Sequence, residues 1–387
     1  MKLQGSCPFQ AGIHGVDALH EELRTQGAGV HQGTLPDGSG AWAVTGHEAV
    51  RRLLNNPRLS VVKAKSRNGY AGAHLPPALD ANLLNMDGEE HRRLRKLAAE
   101  AFAPRHHRAQ EAIVAETVAE LVADLPAAGE IDLMGRLCEP LPARVIGALL
   151  GLPREQLGAF RDASALVLRV DSSPGEQDTR TAMVTLMGLV AGVIADKRRA
   201  PGDDLLSAWI ATRDGPDKLT EDELMSLAFL TIVAGIENVI SLTALVLDDV
   251  VRNRQHHARE ILGEPVEFAK FIRQLINENP PVNYALRRFP TTDLEVNGVT
   301  IPRGDTVFLS VRSAHSDPDS AGKADLGFGY GPHYCIGARL AEMQVQHAVR
   351  AVLQHYPQLS VTGAREGYQL RLSWQTYALA ELRMVAA

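Results

Sequence analysis

Apolar side chains recur at helical spacing over most of this chain. Ala341, Val345, Ala348 and Val352 are separated by steps of four, three and four, which sets them on one face of a helix. The same periodicity marks Val16 to Gln26, His47 to Asn55, Ala109 to Asp124, Leu133 to Leu149 and Arg154 to Val170. The His47 segment ends before Asn56-Pro57, because a residue preceding proline is steered out of helical geometry. Pro140 and Pro142 are expected to bend or interrupt the segment that contains them. Ser172-Ser-Pro-Gly175 breaks the pattern before another helix that reaches Arg199. The longest apolar stretch, Leu224 through Leu247, follows Thr220 with Glu223 three positions later, a reciprocal capping pattern. Its length suits an internal core helix. Strand signals are short: Ala41 to Val44, a hairpin over Asp293 to Ile301, Val307 to Val311, and strand and turn around Leu370 and Tyr377. The pattern predicts a mainly α protein with small β-sheets.

Composition refines that picture without redirecting it. By length, 387 residues accommodate two or three domains or one large one, and neither an internal repeat nor a long low-complexity linker divides them. An apolar fraction of 45% supports a substantial core. A net charge of -6 with both signs mixed points to a soluble protein and gives no support to a nucleic-acid groove. Met1 to Phe9 lacks an apolar signal core, and no apolar run reads as long enough to span a bilayer, so the expectation is a cytoplasmic protein without a membrane partner. Cys7, Cys138 and Cys335 are too sparse for a disulfide framework or a zinc cluster. Cys138 sits in an apolar pattern and reads as a small buried side chain, Cys7 as an exposed terminal one.

Candidate chemistry concentrates in Leu326-Gly-Phe-Gly-Tyr-Gly-Pro-His-Tyr-Cys-Ile-Gly337, which runs into an evident helix. Closely spaced glycines let the backbone turn tightly and lie against a flat ligand. One Cys stands just before a helix N-terminus, where unpaired N–H groups and the dipole favour a thiolate. The plainer reading is a Gly-rich turn with a buried structural Cys. Against it, Phe328, Gly329, Gly331, His333, Cys335 and Gly337 fall in register with the haem-binding signature of the cytochrome P450 family, which this loop resembles.

The resemblance implies one haem domain over residues 1–387 with the cytochrome P450 fold, in which roughly 27–60 and 283–312 contribute to a smaller sheet-containing lobe. It implies haem b, with Cys335 as the axial ligand to iron. Met86 to Arg95 resembles the family's haem-contacting helix, where His91 and Arg95, four apart, face one partner; an ordinary solvated basic face is the alternative. Arg288 and His333 are further candidates for the haem carboxylates, with Phe328 and Gly337 shaping the loop around the cofactor. Ala234-Gly-Ile-Glu-Asn-Val239 resembles the oxygen-binding segment: Gly235 leaves room, and Glu237 is a candidate proton relay, a structural Glu being the alternative. Asn238 occupies the place where the family usually has threonine, and an amide does not pass on a proton by simple acid–base exchange. Leu83, Leu84 and Asn85, then Ala234, then Asn283, Tyr284, Ala285 and Leu286, and finally Tyr377, are candidate substrate contacts.

Two further departures accompany Asn238. Gln274 and Asn277 stand where the family has its Glu-x-x-Arg ion pair, and can form a neutral amide–amide hydrogen bond instead. Only Asp319 to Gly327 separates Pro318 from Phe328, where the family carries a longer meander. The implied function is monooxygenation of a small or medium organic metabolite in specialised metabolism, with electrons from a separate ferredoxin or flavodoxin. Oxidative cyclisation or coupling, peroxide-driven oxidation, and a haem-bound or degenerate auxiliary protein that stabilises a partner stay open. So does a substrate delivered on a carrier protein.

Overall fold

The computed structural model describes residues 7–9, 16–69, 77–167, 176–213, 219–253, 264–278, 280–363, 368–371 and 373–386. The Ser172 to Gly175 break lies outside them. In chain order the elements are α1 (Val16–Thr25), β1 (Val30–Thr34), β2 (Gly40–Val44), α2 (His47–Leu54), β3 (Leu59–Ser60), α3 (Pro77–Asp80), α4 (Gly88–Ala99), α5 (His107–Ala123) and β4 (Gly129–Asp132). Then come α6 (Pro140–Leu149), α7 (Leu157–Val167), α8 (Glu176–Arg199), α9 (Leu205–Arg213), α10 (Glu221–Arg252) and α11 (Pro265–Glu278). The chain closes with β5 (Phe289–Pro290), β6 (Leu294–Val296), β7 (Val299–Ile301), β8 (Thr306–Leu309), α12 (Val311–His315), α13 (Ala338–His355), β9 (Ser360–Val361) and β10 (Arg383–Ala386).

The helical body is organised by α10, which is buried on most sides from Leu224 to Val251. Its start is the capping box read from sequence: Glu223 N donates to Thr220 Oγ1 at 3.1 Å and Thr220 N to Glu223 Oε2 at 2.8 Å. One turn on, Ser226 Oγ donates to Leu79 O at 2.9 Å and ties α10 to α3. At its other end the buried Asp248 accepts from Arg252 Nε at 2.8 Å and from the Tyr368 hydroxyl, while the Arg252 guanidinium lies 5.0 Å from the Tyr368 ring.

The expected interruption before α6 takes a particular form. Met134–Cys138 is a π-helical turn, with Glu139 N donating to Met134 O at 2.9 Å, and Pro140 opens α6. The prolines thus begin a helix, because first-turn residues have no intrahelical acceptor for their N–H. Cys138 is fully buried, as its apolar surroundings imply. Cys7 is only partly exposed: its Sγ donates to Thr34 O at 3.2 Å, because residues 7–9 pack on β1 and Phe9 anchors an aromatic cluster with Tyr284, Phe308 and Trp374.

The smaller lobe joins distant parts of the chain. β2 pairs antiparallel with β1 and parallel with β8, Ala41 opposite Thr306 and Val44 opposite Leu309. β3 pairs with β5, and β6 with β7 through Asn297 at φ 49 and Gly298 at φ 81, a geometry that suits a two-residue hairpin turn. In a separate sheet β10 lies between β4 and β9. The expectation that no apolar run is long enough to span a bilayer fails on length: Asp178–Arg199 and Glu221–Arg252 both meet the requirement, and the second is the core helix just described.

Candidate functional site

Midway along α10 the burial stops on one face. Ala234 is exposed, and Leu230, Thr231 and Asn238, spaced three to four residues from it, are partly so. A core helix opens such a face where it borders an internal crevice. Cys335 looks into comparable surroundings: it is solvent-accessible, yet burial by neighbouring atoms pushes its thiol up, against the opposing pull of Gly337 N–H and the Arg95 guanidinium. The thiolate-favouring groups expected from the helix start are therefore present, but burial outweighs them.

The loop that carries Cys335 depends on its glycines. Gly329 and Gly331 have φ of 79 and 73, and a Cβ on Gly331 would come within 2.6 Å of Asn55 Oδ1. Cys335 N donates to Phe328 O at 2.8 Å, so the loop closes on itself with Phe328 partly buried at its base. Gly337 is the residue that caps α13.

Basic groups gather beside this loop. His91 is 2% exposed, its Nε2 has no hydrogen-bond partner, and its ring centroid lies 4.3 Å from that of His333. Burial, then the neighbouring His333 and Arg95, push His91 down to about 4. Arg288 is 3% exposed with its Nε unpartnered, and burial lowers it to about 10 despite the nearby Asp87 carboxylate. Buried guanidinium and imidazole nitrogens without partners are costly, at about 1–3 kcal/mol per unmade bond, unless a ligand supplies the acceptors. A haem offers carboxylates at one edge and a thiolate-binding metal at its centre, so the residues present fit it. Arg95 takes a second role: its Nη2 donates to Tyr334 O at 2.6 Å and fastens α4 to the loop next to Cys335.

Glu237 lines a cavity of about 960 Å³ walled by α5, α6 and the turn before it, α7, α10 and the C-terminal segment, including Ser164, Ile240, Arg371 and Thr376. Burial raises its carboxyl, with Arg371 and a hydrogen bond to Thr376 opposing. Gly235 is partly exposed on this stretch of α10, and a Cβ there would meet Ile146 Cδ1 at 3.0 Å, so the missing side chain also permits close approach of α6.

Several expected substrate contacts are occupied with structural work. The Asn85 amide donates to Asp80 Oδ1 at 2.9 Å, and its Oδ1 accepts from Arg287. Tyr284 turns into the aromatic cluster with Phe9, Phe308 and Trp374 and donates to Pro8 O at 2.8 Å. Asn283 is fully buried and donates to Trp374 O at 3.1 Å, and the Arg312 guanidinium lies 4.0 Å from the Tyr377 ring. Leu83 belongs to the main core and Ala285 packs in the lobe, whereas Leu84 and Leu286 are partly exposed.

The amide pair anticipated from sequence does not form. Gln274 donates to Glu278 Oε1 at 2.7 Å, and Asn277 Oδ1 is buried without a partner. Its neighbour does the joining: Arg273 makes a bidentate pair with the buried Glu342 of α13, at 2.8 and 2.6 Å. Nothing local in the sequence signals that pair. The shortened link before Phe328 is anchored to α2, where His47 N donates to Asp317 Oδ2 at 2.9 Å and the His47 ring meets Ala324 O at 2.7 Å.

Comparison with known proteins adds an independent line. The family described as Cytochrome P450 matches residues 322–365. Cytochrome P450 monooxygenase PikC of Streptomyces venezuelae is 34% identical over 359 residues, covering 88% of this chain and 84% of its own. Nocardicin C N-oxygenase of Nocardia uniformis subsp. tsuyamanensis is 34% identical over 340 residues, 84% of each chain. Among solved structures, the ligand-free P450 monooxygenase TamI superposes with a TM-score of 0.88 at 29% identity, over 99% of this chain and 95% of that one.

Proposed function

The chain belongs to the cytochrome P450 family, and from that membership we propose how its own residues serve the reaction. It is a haem-thiolate monooxygenase of the soluble bacterial type that oxidises a small or medium organic metabolite in secondary metabolism. Its cofactor is haem b, which when bound activates dioxygen for insertion into an unactivated bond.

Cys335 Sγ would be the iron ligand, its thiolate favoured by the Gly337 N–H and the Arg95 guanidinium against the burial that pushes the thiol up. Arg288, His91 and His333 hold the haem carboxylates, with Arg95 bracing the loop beside them. Ala234 keeps the distal opening wide enough for substrate, and Leu84 and Leu286 contribute apolar contact. Glu237 is the proton-relay group beside the lateral cavity, its carboxyl raised by burial and hydrogen-bonded to Thr376, with Arg371 nearby. Asn238 orients water by donating and accepting hydrogen bonds, leaving proton transfer to Glu237 and water. Phe328 and Gly337 shape the loop. Residues 1–387 act as one haem domain in the cytoplasm, supplied with electrons by a separate ferredoxin- or flavodoxin-type protein.

One observation carries this reading: an accessible Cys335 and an open face on α10, flanked by buried His91 and Arg288 nitrogens that lack partners. The test is the absorption spectrum of the purified protein, reduced and exposed to carbon monoxide. A red-shifted thiolate-type band, lost in Cys335→Ala, is expected. Absence of haem, or a carbonyl band without thiolate character in the wild type, overturns the reading.

A further inference from the structure

Resting on that haem assignment, we propose that Asp87 is a positioning residue for the cofactor edge, holding the His333 ring in the orientation in which it meets a haem carboxylate. Asp87 immediately precedes α4, where an aspartate ordinarily caps the helix through its side chain, yet its carboxylate makes no such bond. Its oxygens point elsewhere. Oδ2 accepts from Ser60 Oγ and from Val61 N, the latter at 3.0 Å, and Oδ1 lies 3.4 Å from His333 Nε2.

The consequence is a chain of contacts from the β3 edge through Asp87 to the loop that carries Cys335. His333 is gripped on two sides, by the Asp87 carboxylate at one ring nitrogen and by the His91 ring at 4.3 Å and 43°. An imidazole held this way keeps one rotamer and presents its remaining nitrogen in a fixed direction, the same logic by which outer carboxylates orient histidines around metals. Arg288, whose unpartnered Nε marks the same edge, lies within the field of Asp87, so the carboxylate does not stand uncompensated among the groups that receive haem.

The test uses full-length, haem-loaded protein carrying Asp87→Asn, in the wild-type and His333→Ala backgrounds. Two quantities are read: the rate of haem transfer to excess apomyoglobin and the midpoint potential of the iron in a dithionite titration. In the wild-type background Asp87→Asn should speed haem loss several-fold and move the one-electron equilibrium about tenfold toward the reduced form, which is 59 mV for n = 1. In the His333→Ala background it should leave the rate of haem transfer unchanged and shift the potential by less. Equal effects in both backgrounds, or none in either, overturn the proposal. Ser60→Ala, which loosens the clamp without touching Asp87, should shift both readouts in the same direction by less; if Asp87→Asn fails to fold, an unchanged Ser60→Ala overturns the proposal by itself. A wild-type protein without the thiolate-type carbonyl band would instead sink the haem assignment, so the two failures are distinguishable.

Discussion

The first and last turns of α10 are crowded with satisfied polar groups, whereas its middle exposes an alanine and buries a carboxylate against its preference. Thr220 and Glu223 complete each other at one end, and Asp248, Arg252 and Tyr368 lock the other. Between them Ala234 faces an opening and Glu237 is held at a raised carboxyl value by burial. The ends satisfy their polar groups and the middle leaves a carboxyl penalised by burial, so one kind of change should have opposite signs in the two places.

The largest effect is expected from Asp248→Ala. Removing one member of a buried pair leaves Arg252 facing Tyr368 without its carboxylate, and unfolding free energy measured by urea titration should fall by about 3 kcal/mol. A loss below roughly 1 kcal/mol would show that the pair is a solvated surface contact. Next comes Thr220→Ala, which opens the capping box and should lower stability by about 1 kcal/mol in the same titration.

The smallest effect has the opposite sign. Burial raises Glu237 above the usual carboxylate range, so its ionised form is the one the folded protein penalises. At pH 7 Glu237→Gln should therefore raise the melting temperature slightly. Well below the ordinary carboxylate range both side chains are neutral in folded and unfolded states, and the difference should vanish. Product formed per electron consumed should fall in the same variant. A lower melting temperature at pH 7 would assign Glu237 to the stabilising ends instead.

What sequence reveals here is what neighbours in the chain decide. The capping box, the Asn297-Gly298 hairpin and the Cys335 loop are set by residues a few positions apart, and each is legible before any coordinates. Where a side chain depends on remote partners, reading fails. Tyr284 and Arg288 belong to one short segment, yet the first joins the aromatic cluster and the second keeps a buried Nε without a partner. Asn85 is claimed by Asp80 and by the distant Arg287, and Gly235 by Ile146. The cross-link that stands in for the missing ion pair starts one residue before Gln274, because only the packing of α11 on α13 brings Arg273 to Glu342.

The parallel pairing of β2 with β8 also sets a timetable for the newborn chain. Ala41 must wait for Thr306 before that edge is covered. At bacterial elongation rates of about 5–20 residues per second, the wait is on the order of tens of seconds. Throughout it the early strands present unpaired backbone, and Cys335 has not yet been synthesised. A haem held through Cys335 would therefore be captured only after the early lobe and the helical body before it have been made.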